Sequence, residues 1–350
     1  MQIASYYSNA DIRIHDIPIP EIGDGECLIK VHSSGICGSD LMEWYRKEKV
    51  PLVLGHEIAG EIIAVGKGVH HIQEGDRVAA SHHVPCMECK YCQRGKETVC
   101  STLRSTTFDP GGFSQYVRMP EINTRFGVFP IPDNVTYDEA SFAEPLSCVI
   151  RGQNRINLKE NDSVIVIGSG ISGILHIALA RSKGAKYIAA IDINPERLKW
   201  AEKFGADITA ATVEDVETHL LEKTGSKADK VILTTGNPNA ILSGIEAVDD
   251  GGEVLLFAPT EPGINIPISV NDVFFKHEKT LTTTYANSPE ELKEALKIIS
   301  CHEVDVAGMI THKLGIEDIQ MGFALVRSGE DSLKVIINPN QNGQVETNAN

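Results

Sequence analysis

The stretch Ser163-Val164-Ile165-Val166-Ile167-Gly168-Ser169-Gly170-Ile171-Ser172-Gly173 sets a strand-length apolar run directly against a glycine-rich turn. The run reads as a buried strand, and the glycines are expected to open a helix over Ile174 to Lys183. A lone G-x-G-x-x-G says little. Here it follows a strand, precedes a helix, and is followed by a second apolar strand, Tyr187 to Ile191, that ends in Asp192, nineteen residues past Gly173. In that context the glycines let backbone approach a pyrophosphate at the helix N-terminus, and the acid accepts bonds from a ribose. The expectation is an α/β, doubly wound parallel sheet that binds a dinucleotide through Gly168, Gly170, Ile171, Gly173 and Asp192. A carboxylate repels a 2′-phosphate, which favours NAD over NADP. Arg197 has three readings: a phosphate ligand, a stack on adenine, or a helix-surface residue.

Further β–α units follow. Helices are expected over Pro195 to Phe204, Val213 to Lys223 and Asn239 to Val248, and strands over Lys230 to Thr234 and Glu253 to Ala258. Ligands in such sheets sit outside the carboxyl ends of the strands, so Thr235, Ala258 and Thr260 are expected to line the cofactor crevice. Two more helices, Pro289 to Ile299 and Ile316 to Val326, precede a strand at Leu333 to Ile337. The stretch from Asn338 to Asn350, rich in Asn and Gln, reads as a loose tail.

Upstream the pattern changes to short strands between Gly, Pro and Asp turns: Ile12 to Ile14, Cys27 to His32, Gly60 to Gly66, Gly75 to Ala79. This predicts an all-β, barrel-like domain over residues 1–150, a nucleotide domain over 151–284, and a return to the first domain over 285–350. Two groups in the first domain carry chemistry. In the lobe 86–100, Cys86, Cys89, Cys92 and Cys100 suit one tetrahedral zinc; two disulfides or an iron–sulfur cluster are the alternatives. Cys37, with His56 and Glu57 nineteen and twenty residues on, offers zinc a thiolate, an imidazole and a carboxylate and leaves a fourth position for water or substrate. Taken singly, these three residues read rather as a small core cysteine, a core histidine and a surface acid, and the other motifs of the chain reverse that reading. A helix expected to start near Tyr137 carries Glu144, followed by Pro145; on its own it reads as a helix-terminal surface acid.

Composition narrows the function. The balance of 32 basic and 48 acidic residues, a formal charge of -16, argues against a nucleic-acid partner. No apolar run approaches the roughly 20 residues that cross a bilayer, and Met1 to Tyr6 lacks the pattern of a secretory signal, so a cytoplasmic location is expected.

With these motifs together, the chain resembles the zinc-containing medium-chain dehydrogenases. It looks closest to the polyol branch, the sorbitol (L-iditol) dehydrogenases, with threonine dehydrogenase next. The resemblance rests on Gly35-Ile36-Cys37-Gly38-Ser39-Asp40, Gly55-His56-Glu57, the four lobe cysteines, Gly111-Gly112-Phe113 and Ala143-Glu144-Pro145-Leu146. It implies a GroES-like barrel joined to a Rossmann domain, two zinc ions per chain, NAD, and a homo-oligomer, dimer or tetramer. It also implies that Cys37, His56 and Glu57 hold the catalytic zinc, with Glu144 contacting it directly or through water, and that Ser39 relays the alcohol proton. Family members often carry a histidine where this chain has Met42, and a thioether cannot transfer a proton. The relay is then expected to end in ribose hydroxyls and water or to use another group, for which His82 and His83 are candidates, though both read rather as surface histidines; Trp44 and Tyr45 either wall the substrate pocket or pack. The expected reaction is oxidation of a secondary alcohol of a polyol, cyclitol or sugar-like compound to a ketone. Threonine 3-dehydrogenase chemistry is the alternative, for which Arg151 is the visible basic partner. A non-catalytic module that binds zinc and NAD is an alternative of another class.

Overall fold

The computed structural model describes residues 1–341 and the backbone of Glu346–Thr347. The chain forms two compact units. One comprises Met1–Ser147, Ala286–His302 and Val306–Asn350; the other comprises Cys148–Tyr285 and Glu303–Asp305. The division near residue 150 therefore falls inside the helix Ala143–Arg155.

The second unit is built on six parallel strands in the order Ile208–Ala210, Tyr187–Ile191, Ser163–Ile167, Ala228–Leu233, Val248–Leu256, Thr280–Thr283. Every residue of Ser163–Ile167 is buried, as a central parallel strand requires. Its order reverses on either side of that strand, the arrangement in which ligands bind beyond the strand ends. Ile165, Ile167, Val231, Leu233, Ile245 and Val254 share one core, each buried side chain worth about 1.5–3 kcal/mol. The first helix spans Ile171–Ser182, three residues earlier than the glycine pattern predicts, because Gly170 in extended conformation already caps it. The short strand Ile208–Ala210 and the polar edge strand Thr280–Thr283 carry no apolar period, and neither was expected.

The first unit wraps an eight-stranded sheet. Its order is Glu346–Thr347, Ile310–Gly315, Lys334–Asn338, Cys27–Gly35, Glu57–Val65, Arg77–Ala80, Val128–Pro130, with Tyr116–Met119 also paired to Cys27–Gly35. A three-stranded sheet, Asp11–Asp16, Gln2–Ser8 and Leu52–Val53, lies beside it. The returning strand Lys334–Asn338 pairs antiparallel with Cys27–Gly35, so the chain end closes the first unit. The expected helix near Tyr137 is two: Tyr137–Ala140, capped by Thr136 and Glu139, and Ala143–Arg155. Pro145 is tolerated there because it lies in the first turn, where no i−4 partner is lost. The tail is not loose at its start. Asn338 ends a buried strand, and Asn340 Nδ2 donates to the carbonyls of Val31 (2.8 Å) and Gln115 (3.0 Å). Apart from Glu346–Thr347, the rest of that stretch beyond residue 341 lies outside the described residues.

Candidate metal centre and nucleotide site

The metal-ligand cluster is a consequence of strand register. Antiparallel pairing of Cys27–Gly35 with Glu57–Val65 sets Gly35 opposite Glu57. Cys37 leaves one strand just as His56 enters the other, and the donor atoms of Cys37, His56 and Glu57 lie within 4.8 Å of one another. Zinc fits this donor set, since its ligands stand at about 2.0–2.3 Å. Asp40 is fully buried; its Oδ2 accepts from the Cys37 N–H (3.1 Å), and its Oδ1 lies 3.4 Å from His56 Nδ1. A carboxylate on one ring nitrogen fixes the tautomer and offers the other nitrogen to the metal. Burial works against protonation of His56, but the Asp40 carboxylate and Cys37 outweigh it and hold the ring well above its ordinary value. Metal binding there displaces a proton. Ser39 Oγ donates to Cys37 Sγ at 3.4 Å.

Glu57 has a second partner. Its carboxylate meets the ammonium of Lys334, which is fully buried, lies 3.3 Å from the Ile36 carbonyl and sits 5.5 Å from the centre of the Phe142 ring. Gly35 makes room for the pair: a Cβ there would stand 2.0 Å from Glu57 Oε2 and 2.7 Å from Lys334 Cε. Sequence reading passed over Lys334. The signal was present, since a lysine in the apolar strand run Leu333 to Ile337 has no reason to be there unless paired.

The structure decides between the readings of Glu144 as a surface acid and as a buried one, and corrects the surface reading of His82 and His83. Glu144 is buried rather than a surface acid; its Oε1 accepts from Asn287 Nδ2 at 3.1 Å, and its carboxylate is outside the set within 4.8 Å. His82 and His83 are half-buried and face the cluster rather than standing exposed at the surface. The His82 ring centre stands 4.8 Å from that of His56 and 3.8 Å from that of His83. Burial pushes His82 well below its ordinary value and His83 down to about 4, so both are neutral near pH 7.

In the lobe, the sulfur contacts Cys89–Cys92 and Cys100–Cys86 are 3.6 Å and Cys86–Cys92 is 4.0 Å. Four thiolates at 2.3 Å from one tetrahedral ion stand about 3.8 Å apart, whereas a disulfide needs about 2.05 Å. The four cysteines are unbridged. Burial opposes ionisation of Cys100, yet backbone hydrogen bonds from Cys86 and Leu103 bring it down to about 6, while burial pushes Cys92 up to about 12. So crowded a set ionises together only around a cation.

The second unit carries the nucleotide residues. Gly168 adopts φ +97°, and a Cβ on Gly173 would stand 1.9 Å from the Gly168 carbonyl oxygen, so both glycines serve the tight strand-to-helix turn. Gly170 differs: nothing lies within 4 Å of its Cβ position. That open cradle above Gly170 and Ile171, at the N-terminus of a twelve-residue helix, suits a pyrophosphate. Asp192 closes the neighbouring strand, buried; it accepts from the N–H groups of Ser169 (2.7 Å) and Asn194 (2.8 Å), and Arg197 lies 3.8 Å away. Arg197 therefore faces the carboxylate while remaining about one-third exposed. Thr235 follows Ala228–Leu233, and Ala258 and Thr260 follow Val248–Leu256. The two loops touch: Ala258 N–H donates to the Leu233 carbonyl at 3.2 Å, and a Cβ on Gly236 would meet the Pro259 carbonyl at 2.2 Å.

Residues 23–133 match the alcohol dehydrogenase GroES-like domain, and residues 172–300 match the zinc-binding dehydrogenase domain. The chain is 33% identical over 335 residues to an L-threonine 3-dehydrogenase of Bacillus velezensis, covering 93% of this chain and 95% of that protein. It is 32% identical over 358 residues to a sorbitol dehydrogenase of Bacillus subtilis, covering 97% and 98%. Among solved structures, galactitol-1-phosphate dehydrogenase from Escherichia coli superposes with a TM-score of 0.84 at 26% identity, covering 97% of this chain and 100% of that one. A thiolate–imidazole–carboxylate cluster, a four-cysteine lobe and a glycine-opened parallel sheet thus stand in one chain that belongs to the zinc-containing medium-chain alcohol and polyol dehydrogenases.

Proposed function

We propose that the chain oxidises a secondary alcohol of a polyol, cyclitol or sugar-like compound to a ketone, with NAD as hydride acceptor. The observation that carries this is the convergence of Cys37, His56 and Glu57 within 4.8 Å with the Ser39 hydroxyl beside them. Cys37, His56 and Glu57 would hold the zinc, which when bound acts as a Lewis acid that lowers the pKa of an alcohol. NAD, when bound, supplies the hydride acceptor. The chain's own residues do the rest. Asp40 orients the imidazole, and Lys334 holds the Glu57 carboxylate. Ser39 Oγ takes up the alcohol proton and gives up its own toward solvent, since the Met42 thioether cannot pass it on. Gly168 and Gly170 present backbone to the pyrophosphate. Asp192, already an acceptor of two N–H bonds, disfavours a 2′-phosphate, which supports NAD over NADP.

L-Threonine 3-dehydrogenase chemistry is supported equally by likeness, and the phosphorylated polyol named in the third relative widens the range. NADH formation across sorbitol, myo-inositol and L-threonine, with NADP as control, separates the readings. Turnover of a polyol supports the proposal, and turnover of threonine alone moves it to the alternative. Silence across the panel with two zinc ions bound would overturn the substrate reading, and a single zinc per chain would favour the non-catalytic module.

A further inference from the structure

Alcohol oxidation leaves open what else the alcohol carries, and one arginine bears on that. Arg46, in the short helix Glu43–Arg46, turns back to the cluster: its Nη2 lies 3.3 Å from the Ser39 carbonyl and 3.9 Å from Asp40 Oδ1. The side chain is only 15% exposed, and its Nε is buried with no hydrogen-bond partner among the described residues. Its guanidinium carbon stands 4.8 Å from the centre of the Tyr45 ring. A guanidinium carries five N–H donors in a rigid fork suited to a carboxylate or phosphate, and these two long contacts use little of it. Asp40 answers the charge of Arg46 only at a distance: its Oδ2 accepts from the Cys37 N–H, and its Oδ1, 3.4 Å from His56 Nδ1 and 3.9 Å from Arg46, has no hydrogen-bond partner among the described residues.

A second orphan stands at the same cluster. His82 Nδ1 is buried without a partner among the described residues, and its ring stands against His56. Arg46 and His82 are joined through the cluster: Arg46 lies 3.9 Å from Asp40 Oδ1, that oxygen lies 3.4 Å from His56 Nδ1, and the His56 and His82 ring centres are 4.8 Å apart. An imidazole N–H can donate a bond to an anion. In a chain of net charge -16, an anionic substrate also needs a local cation to offset the surrounding field. Arg151, the basic residue that the sequence offers beside Glu144, belongs instead to the second unit.

We propose that Arg46, at the edge of the Asp40–His56 pair, is the subsite for an anionic group, a carboxylate or a phosphate, on the alcohol substrate; this rests on reading the Cys37–His56–Glu57 cluster as the alcohol centre. Arg46 is thus a specificity residue that selects the charged members of the substrate class.

The test uses the holoenzyme, its zinc content verified, on alcohols paired by the presence or absence of an anion: L-threonine with L-threoninol, and sorbitol 6-phosphate with sorbitol. The wild type is expected to prefer one anionic member in kcat/KM. Arg46→Gln should reduce that preference about 10- to 100-fold through KM, the size of a charge-assisted bidentate contact, and Arg46→Lys should restore part of it. The pair that responds tells carboxylate from phosphate. A wild-type preference for the neutral members overturns the proposal, as does an equal loss on both members of each pair in Arg46→Gln, which is what mere support of Asp40 would produce. A raised KM for NAD with the alcohol preference intact also overturns it and gives Arg46 to the dinucleotide. If no alcohol is turned over, the alcohol-centre reading has failed on this panel, and calorimetric titration with inorganic phosphate and with malonate decides the subsite. Saturable binding that Arg46→Gln loses supports it; no binding, or equal binding in both proteins, overturns it.

Discussion

Glu57 is a buried carboxylate with two claims on it, a metal cluster on one side and the ammonium of Lys334 on the other. Removing one partner of a buried ion pair leaves the other uncompensated, which costs about 3–5 kcal/mol. Lys334→Ala is therefore expected to lose stability of that order in urea unfolding of the metal-free protein, and a change below about 1 kcal/mol would mean that water reaches Glu57. At the opposite side of the cluster, Cys37→Ser removes the soft ligand while leaving the lobe untouched. Elemental analysis should then find one zinc per chain instead of two, with kcat/KM down at least about 10³-fold. Retention of both ions would show that Cys37 is not a ligand.

The helix Ile171–Ser182 ties two further expectations to local geometry. Gly170→Ala meets no atom within 4 Å and φ −71° suits any residue, so the variant should fold and melt as the wild type does. Its methyl group occupies the cradle, and the KM for NAD should rise about 10-fold or more, read by steady-state kinetics. Gly173→Ala behaves oppositely: its Cβ collides with the Gly168 carbonyl at 1.9 Å, so a lower melting temperature is expected. One turn further along, His176 is fully buried, with neither ring nitrogen hydrogen-bonded among the described residues, its ring edge-on to Phe257. Burial lowers it from 6.5 to about 3. The unfolded chain then binds a proton that the folded chain refuses, so stability falls as pH drops from about 6.5 toward 3, by about 1 kcal/mol per pH unit for this one group. His176→Leu should flatten the dependence of unfolding free energy on pH in that window while keeping neutral-pH stability; an unchanged slope would assign acid sensitivity to other groups.

Across the whole molecule, stability is unevenly supplied. The nucleotide-binding unit has a continuous core around Val231 and Val254, whereas the lobe has Leu103 and the cysteines themselves. So small a core does little to hold a loop, and a metal at the four cysteines would supply what packing lacks. Exhaustive chelation should open the lobe to proteolysis between residues 86 and 105 before the nucleotide-binding unit is cut. Protection of that stretch in metal-free protein would show that packing alone suffices. At this scale too, among the described residues no helix is long and apolar enough to cross a membrane.

Local pattern alone determined the parallel sheet, the glycine turn and the lobe cysteines, because each is written in spacing over a few residues; that Cys37 meets His56 and Glu57 is decided by the register of the two strands that carry them. Elements without a period, such as Thr280–Thr283, were not legible, and neither was the break after Ala140, where capping by Thr136 and Glu139 makes a separate short helix. Only the tertiary structure decided the company these residues keep. Lys334 reaches Glu57 across 277 residues of chain, Asn287 reaches Glu144 across 143, and His82 comes to stand against His56. Such partnerships depend on which strands neighbour each other and in what register, and a buried charge or imidazole takes its partner and its protonation from that register rather than from its neighbours in sequence.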